Sequence, residues 1–139
     1  MCSPAPRPAR PPAPRVLVIE DDARTGALLG EVLSDERYDV HIAADGAEGL
    51  AAAVAFDPHF VLLDVHLPVV HGIEVAQHLR VAEDGHQRVI IGTSGFGPPR
   101  GEPPPAFDHW VPKPIDIDQL CALLHDVWQE RFADHAWHA

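Results

Sequence analysis

Residues 60 to 63, Phe-Val-Leu-Leu, are apolar at four successive positions, and Asp64 ends the run. Successive side chains of a strand point to opposite sides, so a strand with one wet face alternates apolar and polar residues. A run without alternation has no wet face. It belongs inside a parallel sheet with helices packed on both sides. The neighbouring chain supplies those elements. Residues 15–20, Arg-Val-Leu-Val-Ile-Glu, form a short apolar strand, and Leu28, Leu29, Val32 and Leu33 follow at helical spacing. Residues 38–43 alternate like a half-exposed strand, Asp45-Gly46 signals a turn, and Ala47, Leu50, Ala51 and Val54 give a second helical stripe closed by Asp57-Pro58. Val75, Leu79 and Ala82 mark a third helix before Gly85. Residues 88–94 and 108–111 read as a fourth and a fifth strand. Leu120, Leu123, Leu124, Val127 and Trp128 form the final stripe. Strand–helix alternation of this kind predicts an α/β fold, a doubly wound parallel sheet.

The chain has 139 residues, enough for one domain with a proper core. Its formal net charge of −11 argues against nucleic acid as a partner. No run is long enough to span a membrane, and the arginines near the start lack the apolar segment of a signal peptide. Two cysteines, Cys2 and Cys121, make no disulfide framework; Cys121 sits among apolar residues and reads as core. A cytoplasmic setting is expected. Residues 1–14 are proline-rich and predict a disordered tail, an inert leader in preference to a ligand for a proline-binding module. Residues 15–132 are expected to form the domain and 133–139 a frayed end. His135 and His138 there read as polar tail in preference to metal ligands.

The chemistry gathers where strands end. Ligands of an open parallel sheet bind outside the carboxyl ends of its strands. Asp64 ends the third strand, and Glu20, Asp21 and Asp22 end the first, its expected neighbour. Carboxylates that close repel one another unless a cation lies between them. An oxygen-only cluster with open positions suits Mg²⁺. Asp22 reads as a helix cap; Glu20, Asp21 and Asp64 read as a site. Thr93 and Ser94 end the fourth strand, and Lys113 follows the fifth. Lys113 is the only lysine in the chain, beside nine arginines. A hydroxyl and an ammonium facing a carboxylate–Mg²⁺ cluster are what a phosphoryl group requires.

Four segments in order carry a resemblance: residues 15–22 (RVLVIEDD), 60–72 (FVLLDVHLPVVHG), 90–97 (IIGTSGFG) and 107–116 (FDHWVPKPID). Over roughly residues 15 to 130 the chain resembles the response-regulator receiver domain of two-component signalling, in its single-domain, chemotaxis-regulator-like form. The resemblance implies a five-stranded, flavodoxin-like sheet in order 2-1-3-4-5. It implies that a histidine kinase or phosphotransfer protein phosphorylates Asp64. Mg²⁺ would be held by Glu20, Asp21, Asp64 and the backbone carbonyl of His66. Lys113 would pair with the phosphoryl group, Ser94 would be the switch hydroxyl in preference to Thr93, and Trp110 the rotating switch aromatic. Such a protein is no conventional enzyme. With no output domain expected after residue 132, it would signal by contact with a downstream protein.

Several features depart from that pattern. His66 and Phe96 occupy positions that tune dephosphorylation, His66 either by controlling water access or through its backbone alone. Pro112 removes a donor from the fifth strand, tolerable at a sheet edge. Residues 97–106 carry too many prolines for the family's fourth helix. Each interior proline costs roughly 3 kcal/mol, and Glu102 before Pro103 is pushed out of the α region. An extended loop is expected instead, with a sheet face left partly uncovered beside the fourth and fifth strands and available for self-association. A haloacid-dehalogenase-type phosphatase needs a second acid where His66 stands. A flavodoxin-like binder or P-loop protein needs a glycine loop after the first strand. The rival reading is a pseudo-receiver, which binds partners without phosphorylation.

Overall fold

The computed structural model describes residues 13–67, 71–81, 88–95, 101 and 103–132. Along the chain lie β1 (Arg15–Ile19), α1 (Ala23–Asp35), β2 (Asp39–Ala43), α2 (Gly46–Phe56), β3 (Phe60–Asp64), α3 (Gly72–Val81), β4 (Val89–Ser94), β5 (His109–Pro112) and α4 (Ile117–Val127). A π-helical turn, Trp128–Phe132, continues α4. All strand pairs are parallel, in the order β2-β1-β3-β4-β5 expected from the sequence.

The strands divide their side chains between two cores. Leu17, Ile19, Val61, Leu63 and Ile90 meet Ala52 and Ala53 of α2 and Val75, Ala76 and Leu79 of α3 on one face. Val16, Val18, Phe60, Leu62, Val89 and Ile91 meet Leu29 and Leu33 of α1 and Leu120, Leu124 and Val127 of α4 on the other. Every residue of β3 is buried, as its unbroken apolar run requires. Edge strand β2 is mostly exposed. Pro112 sits on the opposite edge strand, where β5 pairs with β4 alone, so its missing N–H breaks no ladder.

Three local expectations change. The inward face of α2 is Gly46, Gly49, Ala52 and Ala53, whereas Val54 is 82% exposed. The reason is close approach: a Cβ on Gly49 would lie 2.4 Å from Ile19 Cδ1, so the small residues and not the bulkier ones face the sheet. Likewise Leu28 points outward while Gly26 and Leu29 are buried in α1. Asp45 is the N-cap of α2 and not part of a turn. It accepts the Glu48 N–H at 2.8 Å, and the Glu48 carboxylate accepts the Ala44 N–H at 3.2 Å. Asp22 caps α1 as expected, accepting from Arg24 N and the Thr25 hydroxyl. Those bonds, the hydroxyl's first, hold its carboxyl below the ordinary range.

Between β4 and β5 no described residue is in an α-helix, and four α-helices are found among the described residues. Pro98, Pro99 and Glu102 lie outside the described residues, as do Phe96, Ala82, Gly85 and residues 1–12 and 133–139; of the expected N-terminal tail, Pro14 is described and its carbonyl accepts the Asp39 N–H at 2.9 Å. The described part is less extended than expected. A turn closes at residues 105 and 106, with the Phe107 N–H donating to the Pro104 carbonyl at 2.9 Å. Nor is the sheet left bare. β4 is buried throughout, and Phe107 and Trp110 fold over it.

Polar groups hold this connection. The Asp108 carboxylate accepts the Ile90 N–H at 2.8 Å, and its own N–H donates to the Ile90 carbonyl at 2.8 Å. Arg80 of α3 pairs with Asp108 and donates to the Ala106 and Arg88 carbonyls. Asp108→Ala leaves the buried Ile90 N–H without its carboxylate partner. The expected loss is about 1–3 kcal/mol of unfolding free energy, read by urea denaturation. A loss below about 0.5 kcal/mol would mean that the contact is surface decoration.

Candidate functional site

Five side chains converge at the carboxyl edge of the sheet because each stands where a strand stops. Glu20 and Asp21 follow β1, Asp64 closes β3, Ser94 closes β4, and Lys113 follows β5. The ladder fixes their heights. The Lys113 N–H donates to the Ser94 carbonyl at 3.1 Å and the Val65 N–H to the Thr93 carbonyl at 3.1 Å. Gly72, at the start of α3, donates its N–H to the Val65 carbonyl at 3.0 Å. A Cβ there would fall 2.6 Å from the Asp64 carbonyl oxygen, so only glycine admits α3 this close to the acid.

Lys113 Nζ lies 2.8 Å from Glu20 Oε1 and 3.1 Å from Asp64 Oδ2, joining two nearly buried carboxylates. Asp64 Oδ1 also accepts the His66 N–H at 2.9 Å. Burial and then the neighbouring Asp64 carboxylate push Glu20 up to about 7, against the pull of Lys113. Burial raises Asp64 too, but its bonds from Glu20, His66 and Lys113 outweigh it and leave the group below the ordinary carboxylate range. Burial disfavours the Lys113 ammonium, yet the two carboxylates hold its pKa above the ordinary value.

One oxygen from each of Glu20, Asp21 and Asp64 lies within 4.8 Å of the others. Oxygens around one Mg²⁺ stand about 3–4 Å apart, so a small inward movement closes the cluster on the ion. The donor set is all oxygen, as a hard cation requires. Glu20, already driven to bind a proton, gains most from a cation in that place. The residues fit Mg²⁺.

The two hydroxyls part company. Thr93 is opposite Val111 in the β4–β5 ladder, on the face of α1 and α4. Ser94 shares the other face with Gly92, which is opposite Trp110. A Cβ on Gly92 would lie 2.7 Å from Trp110 Cε3 and 2.9 Å from Phe107 Cδ1. The indole therefore occupies a notch that only glycine leaves. Its Nε1 is buried with no hydrogen-bond partner among the described residues.

Sequence reasoning missed three participants. Gly72 and Gly92 act through the side chain they lack, and a glycine in sequence signals flexibility as readily as close approach. The third is a contact of the His66 ring, a side chain singled out from the sequence for water access only: its Nε2 lies 3.1 Å from Ser94 Oγ. The residues are 28 apart, so nothing local announces the contact.

The Glu20 shift has a thermodynamic consequence. Its affinity for protons is higher folded than unfolded, so the folded state binds more protons between its ordinary 4.5 and about 7, and stability falls as pH rises through that window. Asp64 works in the opposite sense and only below its ordinary 3.8. In metal-free buffer Glu20→Gln is therefore expected to stabilise the fold by about 1–2 kcal/mol at pH 8 and by much less at pH 5. Urea unfolding at the two pH values measures this; an equal difference at both contradicts the assignment.

Comparison with known proteins agrees with this geometry. The model of the response regulator receiver domain matches residues 16–125. The DNA-binding dual master transcriptional regulator RpaA of Synechocystis sp. is 32% identical over 114 residues, covering 80% of this chain and 47% of that protein. The cell cycle transcriptional regulator CtrA of Caulobacter vibrioides is 32% identical over 114 residues, covering 81% and 49%. The chain thus spans about half the length of the curated relatives it matches. The solved structure of Vibrio cholerae chemotaxis protein CheY4 superposes with a TM-score of 0.76 at 26% identity, covering 83% of this chain and 98% of that one. A CheY-like receiver domain protein from Methanospirillum hungatei gives 0.77 at 24% identity, covering 85% and 95%, a likeness of fold. With its sheet order, its acidic edge and a family match across most of its length, the chain belongs to the response regulator receiver domain family.

Proposed function

We propose that this receiver domain is a phosphoacceptor. A carboxylate oxygen of Asp64 attacks the phosphorus of a phosphohistidine on a histidine kinase or phosphotransfer protein. The oxygen–phosphorus bond forms as the nitrogen–phosphorus bond breaks, the imidazole leaves, and Asp64 becomes an acyl phosphate. The observation that carries this reading is the single lysine of the chain, placed between Glu20 and Asp64 at 2.8 and 3.1 Å. The Glu20 bond, the His66 N–H and this ammonium together keep Asp64 ionised as nucleophile, and the ammonium stands ready to pair with an equatorial phosphoryl oxygen. Glu20, Asp21, Asp64 and the His66 carbonyl would hold Mg²⁺, which supplies positive charge to the incoming phosphoryl group. The signal passes to a downstream protein by contact. Among the described residues no helix is long and apolar enough to cross a membrane.

The test uses acetyl phosphate as donor and intact-protein mass spectrometry as readout. Wild type is expected to gain one phosphoryl group only with Mg²⁺, and Asp64→Asn none. An adduct on both proteins, or on neither, favours the pseudo-receiver.

Ser94 is the switch hydroxyl in this reading, because it shares a sheet face with Trp110 and Thr93 does not. The unpartnered indole N–H supports Trp110 as the moving group, since a buried unsatisfied donor disfavours the inward position. Ser94→Ala is expected to keep the phosphoryl adduct but lose the shift of the Trp110 indole N–H resonance, while Thr93→Val keeps both. A lost shift in Thr93→Val alone would reassign the switch to Thr93.

A further inference from the structure

We infer that the His66 side chain is the latch of the switch: its imidazole holds the Ser94 hydroxyl in the resting position, and the phosphoryl group must take that hydroxyl from it. The inference rests on the phosphoacceptor reading of Asp64 and goes beyond it.

The geometry is specific. His66 Nε2 and Ser94 Oγ are 3.1 Å apart. Ser94 is buried, whereas His66 is exposed and lies over it. A serine hydroxyl has one hydrogen to give. If Nε2 accepts, that hydrogen is committed to the ring; if Nε2 carries its own hydrogen, the ring still fixes the position of the oxygen. In either tautomer the contact ties Oγ to the ring, and the latch requires that a move of Oγ towards Asp64 breaks or stretches it. The same residue also touches the acceptor, because the His66 N–H donates to Asp64 Oδ1 at 2.9 Å. One residue thus grips the phosphorylation site through its backbone and the switch through its ring. The His71 and His66 rings lie edge to face, with centroids 6.0 Å apart and planes at 84°. In this inference the His66 ring is a positioning group, acting through the Ser94 hydroxyl.

A latch opposes the phosphorylated form, so removing it should tighten binding of a phosphoryl mimic. One net hydrogen bond of this kind corresponds to about a three- to tenfold change in an equilibrium constant. The experiment titrates beryllofluoride with saturating Mg²⁺ and follows the bound fluoride signal by ¹⁹F NMR at fixed pH. The proteins are wild type, His66→Leu, His66→Gln, Ser94→Ala and the double variant Ser94→Ala with His66→Leu. His66→Leu is expected to bind about three- to tenfold tighter than wild type. His66→Gln, whose carboxamide reaches about as far as Nε2, should return towards wild type. In the Ser94→Ala background His66→Leu should change binding less than twofold, because the hydroxyl it restrained is gone.

Normal binding by wild type with His66→Leu unchanged or weaker overturns the latch alone. So does equal tightening in both backgrounds, which would be a steric effect of residue 66 on the site. Absence of any bound signal on wild type overturns the phosphoacceptor reading, and the latch with it.

Discussion

The burial of β3 on both faces is the constraint from which the rest follows. A strand covered by α2 and α3 on one side and by α1 and α4 on the other has no lateral outlet for a polar group. A charge on it is tolerable only at its end. Asp64 is therefore confined to the carboxyl edge, and the parallel ladder brings the ends of β1 and β4 to the same height. Parallel strands align their carboxyl ends without any further device, so the acids of β1 and the hydroxyl of β4 arrive beside Asp64 by topology. Lys113 arrives in the same way, one residue beyond the last strand. The remaining requirement is local: α3 must begin without obstructing the acid, and Gly72 meets it.

The resulting edge is electrostatically incomplete. Three carboxylates share one ammonium, so the fully ionised cluster carries a formal charge of two minus. The protein relieves part of this by raising the proton affinity of Glu20. A proton and a divalent cation are alternative remedies for the same repulsion, and only the cation leaves every oxygen ionised for ligation. Bonds from Glu20, His66 and Lys113 hold Asp64 below the ordinary carboxylate range while burial raises Glu20, so the two adjacent carboxylates differ in proton affinity as the proposed nucleophile and cation ligand require. Identical chemical groups receive different roles from their surroundings.

Much of this was legible in the sequence because hydrophobic patterning and charge placement are both linear signals. The apolar run of residues 60 to 63 fixed a central strand, and helical spacing of Leu120, Leu124 and Val127 fixed the last helix correctly. Glu20, Asp21, Asp64, Ser94 and Lys113 were each findable at a strand end. What escaped the sequence is contact made by absence or at long range. The face of α2 was misread in part: Leu50 packs against the core as expected, but Ala51 and Val54 face outward, because Gly49 permits an approach to Ile19 that a larger residue there would block. The sheet beside β4 was expected to be partly bare, since a proline-rich segment cannot form an amphipathic helix. No linear pattern shows that Phe107 and Trp110 would close over Gly92. Arg80 and Asp108 are likewise ordinary surface charges in sequence and a staple in space.

That staple bears on how the edge strand can signal. β5 is paired on one side only and has just four residues. Its start is fixed by the reciprocal bonds between Asp108 and Ile90, and its end by the bond from Lys113 to the Ser94 carbonyl. Backbone displacement of the strand would break one or both anchors, whereas rotation of a side chain between them breaks neither. Trp110 lies between the anchors. It is held by contact with Gly92 and the Phe107 ring and, among the described residues, by no hydrogen bond at its indole nitrogen. Packing against rigid neighbours has discrete arrangements, so a large ring held by shape alone moves between positions instead of sliding. The proposed switch would thereby be confined to side chains: a hydroxyl at the end of β4, the imidazole inferred to restrain it, and an indole whose notch depends on residue 92 having no Cβ.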